Sequence, residues 1–339
     1  MVKLSDVLNE LNSMIELPQM GIPKVSIPEQ NNYPAYFIPE RRFILILGNG
    51  FDLCSGLKSS FASFAHSDFW PLNDSYPSNS LPCHLNKKRD LATWFDLEQE
   101  LFYYAHAYNS QVSSDNIEID RKAFMAVHKA LSDYLNYQME HFIPRLRIPQ
   151  KVINFFQELP GSMKSIYTFN YTSPSKLLKK MGVEIKVPIK YVHGSLENDN
   201  IIIGVGDNNE LDPRCNYLYK AMSNHYSSSG IVSELDEADD VFIFGHSMGM
   251  NDYDYFNNFF LKACNPRNSI QPNLRITIFT KSEDDQLTLK TRIRDLSDKK
   301  LQRLINMCQF NIISTNDEDQ LTIFLNNYLQ QTKDERIKE

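Results

Sequence analysis

Five apolar runs in this sequence are each followed at once by glycine or by a side chain that can bond a ligand or move a proton. Gly48-Asn49-Gly50-Phe51-Asp52 follow the first and Asn170 the second. His193-Gly194-Ser195 follow the third, Gly206-Asp207 the fourth and Gly245-His246-Ser247 the fifth. Gly48 and Gly50 would let the backbone approach a diphosphate, with the amides of a helix beginning near Leu57 aimed at it. A neutral imidazole at His193 can take a proton from water or a sugar hydroxyl near neutral pH. The Asn170 amide has no acid–base chemistry but can orient either of those groups. Each also has a structural reading, His193 as a plain hydrogen-bonder and Asn170 as a turn residue. Asp52 would repel a diphosphate, so it reads as a helix N-cap or as the partner of a ribose hydroxyl.

Residues 245–249, GHSMG, fit the G-x-S-x-G elbow that exposes a nucleophilic serine between a strand and a helix. That chemistry needs an acid and then a histidine later in the chain, and the last histidine is His246, just before Ser247. A serine–lysine variant stays open, although nothing marks a lysine for it. Ser247 is therefore read as a strand-end hydroxyl that can donate to phosphate or ribose. The first loop also departs from the dinucleotide fingerprint G-x-G-x-x-G, because Leu53 stands where the third glycine belongs and the next is Gly56. A plain tight turn and a diphosphate-binding turn remain side by side for this loop.

The elements that would position these groups are short apolar runs alternating with helical patterns. Strands are expected at Phe43–Leu47, Ser165–Phe169, Ile189–Val192, Ile201–Val205, Val241–Phe244 and Arg275–Thr280, with a last one at Phe310–Ile313. Both faces of Phe43–Leu47 are apolar, which suits a central parallel strand. Residues 67–90 read as a loop. One amphipathic helix carries Leu91, Trp94, Leu97, Leu101 and Tyr104, and another Phe124, Val127, Leu131, Tyr134 and Leu135. A third runs from Val152 to Leu159. The expected fold is α/β: a three-layer sandwich around a mainly parallel, Rossmann-like sheet, since such sheets bind ligands at the carboxyl ends of their strands. Residues 41–66 and 164–330 would form that domain and 67–163 a helical insertion. Residues 1–40 would be a helix and a proline-rich arm, and the last ten residues a frayed, solvated tail.

Composition narrows the classes. A chain of 339 residues with 42% hydrophobic residues can bury a large core. A net charge of −7 argues against a nucleic-acid surface. The five cysteines form no C-x-x-C pair, so no metal is expected, and they suit a reducing cytoplasm. The N-terminus lacks a secretory pattern and no run reaches the roughly 18 apolar residues of a membrane span.

The order GNGFDLCSGL, W-x-D-L-E (Trp94 to Glu98), TFNYT, VHGS and GHSMGMNDYDYF resembles the AbiH-like phage abortive-infection proteins, over about residues 43–256. GNGFD and the Gly245–Asp252 pattern are its most specific pieces. The same residues distantly resemble sirtuins, whose glycine loop, strand-end asparagine, H-G histidine and late G-x-S loop match Gly48–Lys58, Asn170, His193-Gly194 and Gly245-His246-Ser247 in order. This resemblance implies an NAD+ hydrolase. Asn170 and His193 would be catalytic, and Gly48, Asn49, Gly50, Asp52, Gly56, Gly245, His246, Ser247 and Asp252 would hold the dinucleotide. Three departures argue against protein deacetylation: Ser59-Ser60-Phe61 replace an acidic-Phe-Arg run, the zinc cysteines are missing, and the insertion is helical. Trp94 and Glu98 would share a helix face, with Trp94 in the core and Glu98 solvated or, alternatively, acting as a lid residue. A nucleotide sensor without turnover and a serine hydrolase are the competing functions. NAD+ or a related nucleotide, a phage-derived trigger and a second copy of the chain are the partners compatible with this reading.

Overall fold

The computed structural model describes residues 40–91, 95–107, 114–144, 147–265 and 274–338; the expected N-terminal helix and arm, and Trp94, lie outside the described residues. Six strands form one sheet: β1 (Phe43–Leu47), β2 (Lys164–Thr168), β3 (Ile189–Tyr191), β4 (Asp240–Phe244), β5 (Arg275–Thr280) and β6 (Gln309–Ser314). Their order is β3-β2-β1-β4-β5-β6 and every neighbouring pair is parallel. The chain therefore builds outward on one side of β1, then crosses over and builds outward on the other. The crevice between the carboxyl ends of β1 and β4 is the point where the direction of winding reverses, which is where open α/β sheets hold ligands. Leu47 pairs with both Thr168 and Phe244, so the loops after β1, β2 and β4 leave the sheet at one level.

In chain order the helices are α1 (Asn49–Ser55), α2 (Phe61–Ala65), α3 (Leu81–Leu91), α4 (Leu97–His106), α5 (Ser114–His141), α6 (Ile148–Glu158), α7 (Pro174–Lys179), α8 (Ile231–Glu237), α9 (Tyr253–Ala263), α10 (Glu283–Leu296), α11 (Leu301–Met307) and α12 (Glu318–Lys338). Alternation along the strands sends Ile44, Ile46, Val241, Ile243, Ile276 and Ile278 to one face, where α8 to α11 cover them. Phe43, Leu45, Leu47, Phe242, Phe244 and Phe279 face the other way, under α1, α6, α7 and α12. Each of these fully buried side chains contributes about 2 kcal/mol. The fold is thus a Rossmann-like α/β sandwich. A third core joins α2 to α5 with Ile201, Ile203 and Val205.

Several expectations are corrected. Ile201–Val205 is not a sheet strand; it makes an isolated bridge from Val205 to Tyr219, and the side chains of Ile201, Ile203 and Val205 fill the helical core. An apolar run has the same pattern whether a sheet or a helix cluster buries it. Part of the expected 67–90 loop is α3, in which Pro82 occupies the first turn, where proline costs no hydrogen bond. Leu91 is the last described residue of that helix, and α4 starts at Leu97, where the Asp96 side chain caps it by accepting from the Gln99 N–H at 3.2 Å. The helix after β1 starts at Asn49 rather than near Leu57 and stops at Gly56. The expected frayed tail is helical as far as it is described: α12 runs on to Lys338, and Glu335 bonds the buried Arg275 at 3.2 Å. Arg275 in turn meets the fully buried Asp240 at 2.6 Å, and Arg41 meets the same carboxylate at 2.7 Å. These charges close the amino end of the sheet, opposite the candidate site. Among the described residues no helix is long and apolar enough to cross a membrane.

Candidate active site at the carboxyl ends of the strands

The loops after β1 and β4 interlock. The Gly50 N–H donates to the Gly245 carbonyl at 2.8 Å, and the Gly48 N–H to the Phe244 carbonyl at 2.9 Å. A Cβ on Gly48 would lie 2.4 Å from the His246 Cα, and one on Gly50 2.6 Å from the Gly245 Cα. Gly245 itself sits at φ +67° with its missing Cβ 2.4 Å from the Phe51 nitrogen. These glycines are small so that backbone can touch backbone. In this loop the Gly50 amide serves Gly245 and the Phe51 amide serves the Gly48 carbonyl at 2.9 Å. Gly56 caps the far end of α1 at φ 95°. Asn49 and Ser247 are exposed; Asn49 accepts from the Ser59 hydroxyl, and the Ser247 carbonyl accepts from Arg292 at 2.6 Å. Gly194-Ser195 form a turn in which the Ser195 hydroxyl accepts from the Asn198 N–H at 3.2 Å, while Asp207 is exposed.

Beneath that interlock lies a buried polar group. Asp52 is 1% exposed and inside α1, so it is not an N-cap. Its carboxyl accepts from the Asn170 amide at 2.8 Å and from the Thr172 hydroxyl. The second Asn170 N–H reaches the Gly48 carbonyl at 3.0 Å, which leaves the Asn170 oxygen as the group available to a ligand. Burial pushes the Asp52 carboxyl up to about 7, against the two hydrogen bonds that oppose it. A folded-state value raised above 3.8 means that the native protein holds a proton which the unfolded chain has released. Asp52 thus contributes stability that is complete below about pH 4 and lost as the pH rises to about 7. In Asp52→Asn that part of the pH dependence should vanish. Urea midpoints for wild type and variant at pH 5 and pH 8 measure it, and parallel changes in the two proteins would refute a protonated Asp52.

The second group is larger and was less legible. His193, 4% exposed, approaches Asp252 through Nε2 at 2.8 Å. Lys220 stands between two carboxylates, 3.1 Å from Asp252 and 3.0 Å from Glu98. His246 faces the other Asp252 oxygen at 3.4 Å through Nε2, while its Nδ1 accepts from the Met248 N–H at 2.9 Å. The Phe169 ring packs on both imidazoles, with centroids 5.2 Å from His193 and 4.2 Å from His246, and its neighbour Asn170 belongs to the first group. The residues after β1, β2, β3 and β4 thus meet at one end of the sheet. Burial and then Lys220 pull His193 down to about 4, so it is neutral at pH 7. Burial alone would raise Asp252, but Lys220 and His193 outweigh it and hold the carboxyl well below its usual range. Burial pushes Glu98 up to about 7, with Lys220 opposing.

Of the expected site residues, the structure brings His193, His246 and Asp252 into one cluster. It brings Asn170, Asp52, Gly48, Gly50 and Gly245 into the adjoining one. Glu98 is corrected from a solvated residue to a half-buried member of the charge cluster, with its other oxygen accepting from the Gly204 N–H at 3.3 Å. Lys220 was missed altogether. Its one local signal is a lone lysine in the apolar stretch Tyr217-Leu218-Tyr219-Lys220-Ala221-Met222. A comparison with curated proteins returns no match. Residues 44–271, well over half of the chain and including both clusters, match the model of a family described as Bacteriophage abortive infection AbiH, and the chain belongs to that family.

Proposed function

We propose that this abortive-infection protein acts by hydrolysing NAD+ to nicotinamide and ADP-ribose. The observation that carries the reading is His193. It follows the edge strand β3 and reaches the loop after β4, where its Nε2 is held by Asp252, and its buried Nδ1 has no partner among the described residues. In the proposed step the C1′–N bond breaks with its electron pair going to the pyridinium nitrogen, which leaves as neutral nicotinamide. The oxygen of a water bonds to C1′, and the proton that water loses passes to His193 Nδ1. Asp252 then faces the imidazolium that forms. The reacting sugar resembles an oxocarbenium ion, as in glycoside cleavage. With Glu98 ionised, Glu98, Asp252 and Lys220 together carry one net negative charge, which favours both the cationic substrate and that transition state. The sirtuin-like order of Asn170 and His193 supports the same reading.

Nicotinamide release from NAD+ by the purified protein tests it, followed by chromatography beside ADP-ribose. Product from wild type is expected. The Gly50–Gly245 interlock favours a second reading, a nucleotide-dependent switch without turnover, and binding of NAD+ with no nicotinamide formed would select it. A serine hydrolase has less support, because both ring nitrogens of the neighbouring His246 are already engaged. A fluorophosphonate probe is therefore expected to leave Ser247 unlabelled, and labelling there, read by peptide mass, would restore the nucleophile.

A further inference from the structure

Lys220 occupies a costly place for an ammonium group. Its side chain is 4% exposed, on a short 3-10 turn (Lys220–Met222), and it reaches Glu98 of α4, Asp252 after β4 and, at 3.2 Å, the Nε2 of His193. A buried lysine needs carboxylate partners, and it has two. Nothing in that requirement explains why the ammonium should also touch an imidazole.

The contact bears on which nitrogen of His193 carries the proton. If Lys220 donated to Nε2, the proton would sit on Nδ1. A buried N–H would then lack an acceptor, since Nδ1 has no partner among the described residues, and the Nε2 lone pair would face the Asp252 oxygen at 2.8 Å. Both consequences are unfavourable. With the proton on Nε2, Asp252 accepts it and Nδ1 presents a lone pair. The ammonium then sits beside a neutral ring and opposes a second proton. Every ionisable group around the ring fits this division. Asp252 favours the imidazolium. Lys220 and His246 oppose it, with Lys220 the stronger influence. Tyr255 of α9 packs its ring edge 5.7 Å away, and Glu98 and Asp96 lie behind Lys220. Asp252 therefore sets the tautomer, and burial together with Lys220 keeps the second nitrogen unprotonated.

We infer that Glu98 and Lys220 form a positioning pair for the site. Glu98 fixes Lys220, and Lys220, beside an already buried ring, opposes its protonation and leaves the Nδ1 lone pair open to a reacting water. The consequence for rate rests on the hydrolase reading, whereas the effect on His193 does not. The pair also joins a helix of the region between β1 and β2 to the carboxyl ends of the strands.

The test follows the His193 ring by NMR in the full chain with labelled histidine, assigned by the signal that His193→Ala loses. Wild-type His193 is expected to stay neutral down to about pH 5.5, whereas in Lys220→Met it should titrate at least about 1 pH unit higher. Lys220→Arg, which keeps the charge, should restore the wild-type behaviour. If the methionine variant does not fold, Lys220→Gln, which keeps a donor between the two carboxylates, carries the same expectation. In nicotinamide release, the acidic limb of the neutral variant's pH profile should move to higher pH by the same amount. An unchanged His193 titration in a folded neutral variant overturns the inference whatever the activity. Wild type that releases no nicotinamide removes the hydrolase reading, and the NMR result then decides the positioning role alone.

Discussion

Replacing Gly245 with alanine is expected to destabilise the protein by about 2 to 5 kcal/mol, among the largest losses available to a single methyl group. Two costs combine. At φ +67° an L-residue loses about 1 to 2 kcal/mol from the approach of its Cβ to the backbone. The new carbon would also lie 2.4 Å from the Phe51 nitrogen and 2.5 Å from the Gly50 Cα and carbonyl carbon. All three are backbone atoms of α1, so no side chain can swing aside. Relief requires the two loops to part, which breaks the Gly50 to Gly245 hydrogen bond and disturbs the Asp52–Asn170 group below. Gly182 is the internal control: it has φ +79°, but nothing lies within 4 Å of the place its Cβ would take. Gly182→Ala should therefore show the conformational cost alone, about 1 to 2 kcal/mol. Urea unfolding of the two variants beside wild type separates the terms. Equal losses would mean that the loops are not packed as tightly as the structure draws them.

That interlock also shows what a sequence can and cannot disclose. The continuous apolar runs FILIL and VFIF identify central parallel strands because burial on both faces leaves no room for alternation. Once the strands are in place, their carboxyl ends follow, and with them the positions of Gly48, Asn170, His193 and Gly245. The purpose of the glycines was not legible. A glycine that admits a ligand and one that admits a neighbouring loop look the same in one dimension. Glu98 and Lys220 failed for a related reason. A charged residue is read as solvated unless a partner is visible, and the partners of Lys220 lie far away on both sides of the chain, in α4 and after β4. Burial of an ion pair is decided by tertiary contacts that no local period records.

His193→Ala is expected to lower nicotinamide release about 10²- to 10⁴-fold, the usual contribution of a positioned general base. The loss should fall on kcat rather than KM, because His193 is proposed to meet the attacking water and not the dinucleotide. The fold should survive, since alanine removes a ring whose Nδ1 bonds nothing among the described residues. Lys220, still between Glu98 and Asp252, keeps the remaining charges paired. Asn170→Ala should behave differently. It deprives Asp52 and the Gly48 carbonyl of a shared donor, so stability falls by about 1 to 3 kcal/mol and the loops that frame the site loosen. Its activity should therefore fall most steeply with temperature, whereas that of His193→Ala is low throughout. Steady-state kinetics at two temperatures, with unfolding monitored in parallel, distinguish a lost base from a loosened frame. If His193→Ala turns over as fast as wild type, the proton leaves by another group of the cluster. Asp252, held anionic by Lys220, then becomes the residue against which the attacking water must be placed.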